Sequence, residues 1–122
     1  VGHEFEALSG RIIEAAIDVH KQLGPGFLES IYENAVKVAL RKRGIVYEAQ
    51  KEVRVFFEGE EVGEHRLDLV VDNQIIVELK AIRALDDVHF AQVRSYLKAT
   101  RLRVGLLMNF NAPTLVIKRI VL

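Results

Sequence analysis

The 122 residues contain no cysteine and no tryptophan, and only two prolines. The missing cysteine excludes disulfides, thiolate nucleophiles, cysteine zinc sites and thiolate-held iron–sulfur clusters. Gly and Pro are too sparse (eight and two), beside 50% hydrophobic and 28% charged residues, for a collagen-like, low-complexity or disordered chain. A charge excess of one sign is also missing. Seventeen Lys/Arg balance seventeen Asp/Glu, which at first reading argues against a phosphate polymer as partner. No apolar run approaches the roughly 20 residues of a membrane-spanning helix. The opening Val1-Gly2-His3-Glu4-Phe5-Glu6 does not have the basic-then-apolar order of a signal peptide. The expectation is one globular domain over residues 1–122, soluble and cytoplasmic, with no membrane and no organic cofactor.

The balance conceals a division along the chain. Up to and including Glu78 there are nine Lys/Arg and fifteen Asp/Glu; from Leu79 onward there are eight and two. The two parts carry −6 and +6, so a basic surface can sit beside an acidic cluster on a neutral molecule.

Periodicity orders the elements. Leu8, Ile12, Ala15, Val19 and Leu23 follow helical spacing within Glu4 to Leu23, and Gly24-Pro25-Gly26 stops them. A second stripe, Leu28, Ile31, Ala35 and Val38, runs to Arg43, with Gly44 suited to the helix end. Val46 to Phe57 reads as a strand and Glu58-Gly59-Glu60 as a turn; His65–Val71 and Gln74–Ala81 are strands about Asp72-Asn73. Asp86 suits the cap of a third helix, with core stripe Phe90, Val93 and Leu97, that ends near Thr100. Leu102–Met108 and Leu115–Val121 complete the chain as strands, with Pro113 in the loop between them. The order α-α-β-β-β-α-β-β predicts an α/β (α+β) sandwich: a mixed central sheet, its first three strands a meander, flanked by helices.

One strand breaks the rule for its type. Ile75-Ile76-Val77-Glu78-Leu79-Lys80-Ala81 is apolar on both alternations, as a central strand should be, yet carries Glu78 and Lys80 on one face. Burying either charge costs several kcal/mol unless it is paired, hydrogen-bonded or metal-bound. Asp68 stands on the preceding strand. A two-residue turn at Asp72-Asn73 would set Asp68 opposite Val77 and on the wrong face; a three-residue loop Val71-Asp72-Asn73 pairs it with Ile76 and brings it to the face of Glu78 and Lys80. Two carboxylates there offer hard oxygen ligands that suit Mg²⁺ or Mn²⁺.

Asp68 followed by Glu78-Leu79-Lys80 on the adjacent strand resembles the PD-(D/E)xK phosphodiesterase superfamily, to which many nucleases belong. Leu67 stands where the signature has proline. Gly26-Phe27-Leu28-Glu29-Ser30-Ile31-Tyr32 is similar to the Gly-x-x-Glu-x-x-Tyr signature of its small prokaryotic GxxExxY branch, and Gln92-Val93-Arg94-Ser95-Tyr96 to the Gln-x-x-x-Tyr motif of RecB-like nucleases. The resemblance implies a restriction-endonuclease-like core and metal-dependent cleavage of nucleic acid, DNA being the expected polymer. It also implies Asp68, Glu78, the Leu79 carbonyl and Glu29 as metal ligands, Glu29 directly or through water. Lys80 would orient or help deprotonate the attacking water, and Gln92 and Tyr96 would approach the metal or the scissile phosphate.

Arg83, Arg94, Lys98, Arg101 and Arg103, with Tyr32, are the candidate nucleic-acid contacts. His3, His20, His65 and His89 lack paired metal-ligand spacing, although His20 and His89 are candidates for lining a cleft. The competing expectations are a non-catalytic nucleic-acid-binding module of the same fold, and an oligomeric accessory protein joined through Leu115–Leu122. A homodimer is expected because so small a chain offers one side of a groove.

Overall fold

The computed structural model describes residues 5–122. Apolar side chains at helical spacing bury Ile12, Ala15, Ala16 and Val19 on the inner face of α1 (Glu6–Leu23). The expected start at Glu4 lies outside the described residues. Helix α2 (Glu29–Lys42) departs from expectation in a different way. Its inner face is Tyr32, Val36, Ala39 and Leu40, while Leu28 is 72% exposed and Ile31 and Val38 also face water. Two apolar stripes lie side by side on this helix, and the one carrying the aromatic ring and Leu40 goes inward because it buries more area.

Strands β1 (Tyr47–Phe57) and β2 (Glu60–Val71) form a hairpin with Phe57 opposite Glu60. Its two-residue turn has Glu58 at φ 49° and Gly59 at φ 83°, the left-handed pair that matches strand twist and that glycine adopts without strain. β2 starts five residues before the expected His65. Residues 60–64, Glu-Glu-Val-Gly-Glu, have little apolar content and are held by pairing with β1, so the hairpin runs on past the core as an arm.

The remaining elements are β3 (Ile75–Lys80), α3 (Asp87–Thr100), β4 (Val104–Asn109) and β5 (Val116–Val121). The sheet order is β1-β2-β3-β4-β5, with β3 and β4 parallel and the other neighbours antiparallel. A parallel neighbour needs a crossover, and α3 supplies it. Helices α1 and α2 cover one face, packing on Leu69, Val71, Val77, Leu79 and Leu106; α3 covers the other, with Val93 and Leu97 on Val70, Ile76 and Leu107. Asp86 caps α3 in a capping box. The Asp87 N–H donates to Asp86 Oδ1 at 2.8 Å and the Asp86 N–H to His89 Nδ1 at 2.8 Å, so His89 closes the helix rather than lining a cleft.

Gly105 on β4 lets α3 come close. A Cβ there would stand 2.6 Å from Val93 Cγ1, and Val93 is buried and stiff at χ1 in a helix. Gly105→Ala should therefore destabilise the fold by about 1–3 kcal/mol through overpacking. Adding Val93→Ala should return part of that loss, a non-additivity readable by urea denaturation of the two single variants and the double variant.

Candidate active site

The β2–β3 loop comprises Asp72, Asn73 and Gln74, with Asp72 and Asn73 both left-handed at φ 50° and 56°. Val71 pairs with Ile75 and Leu69 with Val77. The expected pairing of Asp68 with Ile76 is thus displaced by two positions, because Val71 goes into the core opposite Ile75 instead of standing in the loop. A displacement of two preserves the face. Asp68 lies beside Glu78, on the side of the sheet that also carries Lys80.

Beyond Leu69 and Val77 the carboxyl groups replace the ladder. The Asp68 N–H donates to Glu78 Oε1 at 2.9 Å, and the Leu79 N–H donates to Asp68 Oδ2 at 3.0 Å. Each acid satisfies a backbone donor on or beside the other's strand. The chain also turns here. Opposite Asp68, Gln50 takes φ 51°, and Leu67 packs with the α3 cluster while Leu69 packs with the α1/α2 cluster, although residues two apart in a regular strand share a face.

Glu78 is 2% exposed. Burial first, then the Asp68 charge, pushes its carboxyl up to about 8, while the Asp68 backbone N–H and the Lys80 ammonium pull the other way. Glu29, at the start of α2, reaches the same place from the other layer. Its carboxyl is raised by desolvation and by Asp68, and lowered by Lys80 and by the Ala81 N–H. Tyr96 approaches from α3, its phenol pushed up to about 12 by burial and then by Glu78 and Asp68. Asp68, Glu78, Lys80, Glu29 and Tyr96 therefore share one electrostatic neighbourhood. Gln92 is half-buried one turn before Tyr96 and makes no hydrogen bond among the described residues.

Tyr32 is not part of a binding surface. It is wholly buried, stacked on Phe110 with centroids 4.7 Å apart; its hydroxyl donates to the Gly24 carbonyl at 2.5 Å and accepts from the Phe27 N–H at 3.1 Å. With Gly26 at φ 111°, it fixes the turn that delivers Glu29 to the sheet end. His20 is likewise structural, buried with Nε2 2.8 Å from the Ala112 carbonyl. Arg83, Arg94, Lys98, Arg101 and Arg103 are all exposed and make no ion pair among the described residues.

Two residues that sequence reasoning did not assign to the site support it. Asn109, buried at the end of β4, accepts from the Ile82 and Asn111 N–H groups at 3.1 and 3.2 Å and donates to the Ile82 carbonyl at 2.9 Å, clamping the segment after Lys80. Its only sequence signal is an amide closing the apolar run Val104–Met108. His65 sets its ring edge against Tyr96, centroids 4.8 Å apart, with Nε2 2.9 Å from Ser95 Oγ.

Among the described residues, no three His, Asp or Glu side chains gather as a metal cage. Asp68 and Glu78 nevertheless have the chemistry of an Mg²⁺ or Mn²⁺ pair. Each spends one oxygen on a backbone donor, and the two carboxyls lie close enough to share a proton whose place a divalent cation can take. Magnesium commonly rests on one or two carboxylates and keeps several waters.

Residues 6–120 match the family model of the PD-(D/E)XK nuclease superfamily. No curated protein matches the chain. Among solved structures, the crystal structure of SSO0001 superposes with a TM-score of 0.62 at 18% identity, over 75% of this chain and 48% of that one. The chain spans about half the length of that protein, and the likeness is one of fold. The five-stranded mixed sheet between helices agrees with a restriction-endonuclease-like core.

The state of Glu78 has a consequence for stability. An unfolded glutamate titrates near 4.5 and folded Glu78 near 8, so between these values the folded protein holds the extra proton. Its contribution is complete below about 4.5 and is lost as pH rises through about 8. Metal-free protein should lose stability over that window, and Glu78→Gln should flatten the loss; urea denaturation at several pH values measures both.

Proposed function

The chain belongs to the PD-(D/E)XK nuclease superfamily, and from that membership we propose that it is a metal-dependent nuclease that hydrolyses phosphodiester bonds in DNA. The observation that carries this reading is the reciprocal bonding of Asp68 and Glu78 at the end of β3, with Lys80 two residues on. A central strand accepts a buried carboxyl with a raised pKa only where some other need requires it. We read the GxxExxY signature in Gly26, Glu29 and Tyr32 and the RecB-like motif in Gln92 and Tyr96, and take residues 1–122 as one catalytic unit.

Asp68, Glu78 and the Leu79 carbonyl would hold Mg²⁺ or Mn²⁺, with Glu29 completing the metal environment directly or through water. When bound, the ion lowers the pKa of a coordinated water and offsets charge on the phosphate. Lys80 orients the attacking water and, as an ammonium, stabilises negative charge that develops on the phosphate oxygens. Tyr96 keeps its hydroxyl proton through the neutral pH range and so donates a hydrogen bond rather than acting as a base. Gln92 is the adjacent polar group on the same helix. The exposed Arg83, Arg94, Lys98, Arg101 and Arg103 supply phosphate contacts that carry affinity without base specificity.

Cleavage of single-stranded, duplex and branched DNA, and of RNA, should require Mg²⁺ or Mn²⁺. Asp68→Ala and Lys80→Ala should each lower the rate by roughly 10²–10³-fold. Calorimetric titration should find Mg²⁺ or Mn²⁺ binding that Asp68→Ala and Glu78→Ala remove. Equal cleavage by wild type and both rate variants sinks the reading; nucleic-acid binding without metal binding or cleavage supports a non-catalytic module instead.

A further inference from the structure

The arm formed by the β1–β2 hairpin is not used by the proposed chemistry. At its tip Phe56, Phe57 and Val62 are 59%, 65% and 62% exposed. Residues 55–64 carry Glu58, Glu60, Glu61 and Glu64 and no basic residue, and of these four only Glu61 makes an ion pair among the described residues, with Arg54 at 3.7 Å. Beside the tip, Val55, Val62 and Glu64 of the arm face Ser95, Lys98 and Ala99 of α3 across a groove of about 410 Å³, so that Val62 belongs to both. Arg94, one turn before Lys98 on α3, and Arg101, at the helix C-cap, are exposed and without an ion pair among the described residues.

One molecule thus carries an apolar acidic tip and a largely apolar groove lined by Lys98 and Glu64, with Arg101 three residues beyond Lys98 at the C-cap of α3. A two-fold axis presents the tip of each copy to the groove of the other, which is the self-complementarity that an isologous dimer requires. We infer that the arm is a dimerisation element: Phe56 and Phe57 of one chain seat in the Val55–Ala99 groove of a second copy, with Glu58 and Glu60 facing its Lys98 and Arg101.

Phe56 and Phe57 still expose about three-fifths of their surface, so four such rings across the axis add roughly 360–600 Å² of buried area to the interface, on a full burial of about 150–250 Å² each. Specific interfaces begin near ~1,200 Å². The alternative occupant, a nucleic acid, meets four glutamates on the approach. Edge strands are commonly guarded by charge and by bulges, and β1 has a register shift between Val55 and Phe56. That guard does not account for two adjacent phenyl rings left in water.

Sedimentation velocity on the full chain, over a series from micromolar to millimolar, tests this. Wild type should dimerise. Phe56→Ser with Phe57→Ser should raise the dissociation constant at least about tenfold while circular dichroism stays as in wild type and melting matches it at concentrations where both are monomeric. Glu58→Lys with Glu60→Lys should weaken the dimer, as should Lys98→Glu with Arg101→Glu, and all four changes in one chain should restore it. A wild-type monomer throughout, a dimer indifferent to the Phe changes, or no recovery in the fourfold variant overturns the inference. So does a Phe56/Phe57 variant that loses nucleic-acid binding with self-association unchanged. Asp68→Ala should dimerise as wild type does, which separates failure of this interface from failure of the nuclease reading.

Discussion

The exchange of backbone hydrogen bonds between Asp68 and Glu78 is the constraint around which the rest is arranged. Where the β2–β3 ladder ends, strand N–H groups would be left without partners, and in a site as closed as Glu78's an orphan donor costs about 1–3 kcal/mol. The two carboxyls accept from the Asp68 and Leu79 N–H groups, so the acids are held by the fold and the strand ends are satisfied by the acids. Neither could be removed without loss to the other. The left-handed Gln50 and the change of facing between Leu67 and Leu69 are the local distortion that accompanies this. Asn109 holds the chain that leaves β3, so the cluster cannot relax by moving its last strand.

Both helical layers are fitted to this point. The turn after α1 is closed by the Tyr32 hydroxyl, which bonds both Gly24 and Phe27, and Gly26 takes a backbone angle that a side chain would strain. The result is that α2 begins with Glu29 beside Asp68 and Lys80. The Gly-x-x-Glu-x-x-Tyr pattern then has a division of labour: glycine and tyrosine shape the turn, and glutamate meets the site. From the other side, α3 comes close to β4 through Gly105 and brings Tyr96 against His65. A phenol whose neighbours are Glu78 and Asp68 resists ionisation, which suits a fixed donor.

What could be read in the sequence depended on whether local physics decides it. Helix stops, the Asp86 cap and the alternation in Ile75–Lys80 are local, and they match the structure. The face shared by Asp68 and Glu78 was legible because parity needs only an odd loop. The register itself was not, because it turns on whether Val71 is worth more in the core than in the loop, a tertiary matter. On α2, Leu28-Ile31-Ala35-Val38 and Tyr32-Val36-Ala39-Leu40 both have helical spacing, and periodicity alone has no means of ranking two stripes. The arm escaped because Glu60–Glu64 lacks the alternation of a half-buried strand; pairing beyond the core leaves no such signature. Asn109 and His65 act through partners far along the chain, Ile82 and Tyr96, which no local pattern announces.

Zero net charge has a different meaning once the charges are placed. The acids of the first part are of two kinds. Asp68, Glu78 and Glu29 converge where they repel one another, a repulsion that Lys80 offsets only in part; Glu58, Glu60 and Glu64 stand on the arm, facing water. The later part answers with exposed cations on and after α3. A chain composed this way has weak long-range attraction for a polyanion, so on the proposed nuclease reading affinity would come from short-range contacts and from divalent ions that neutralise the carboxyl pair. In the proposed dimer the exposed side chains of Lys98 and Arg101 would also face another copy's arm. Under the two proposals together, self-association and phosphate binding would draw on the same Lys98 and Arg101, and whichever partner covers them would exclude the other from that face.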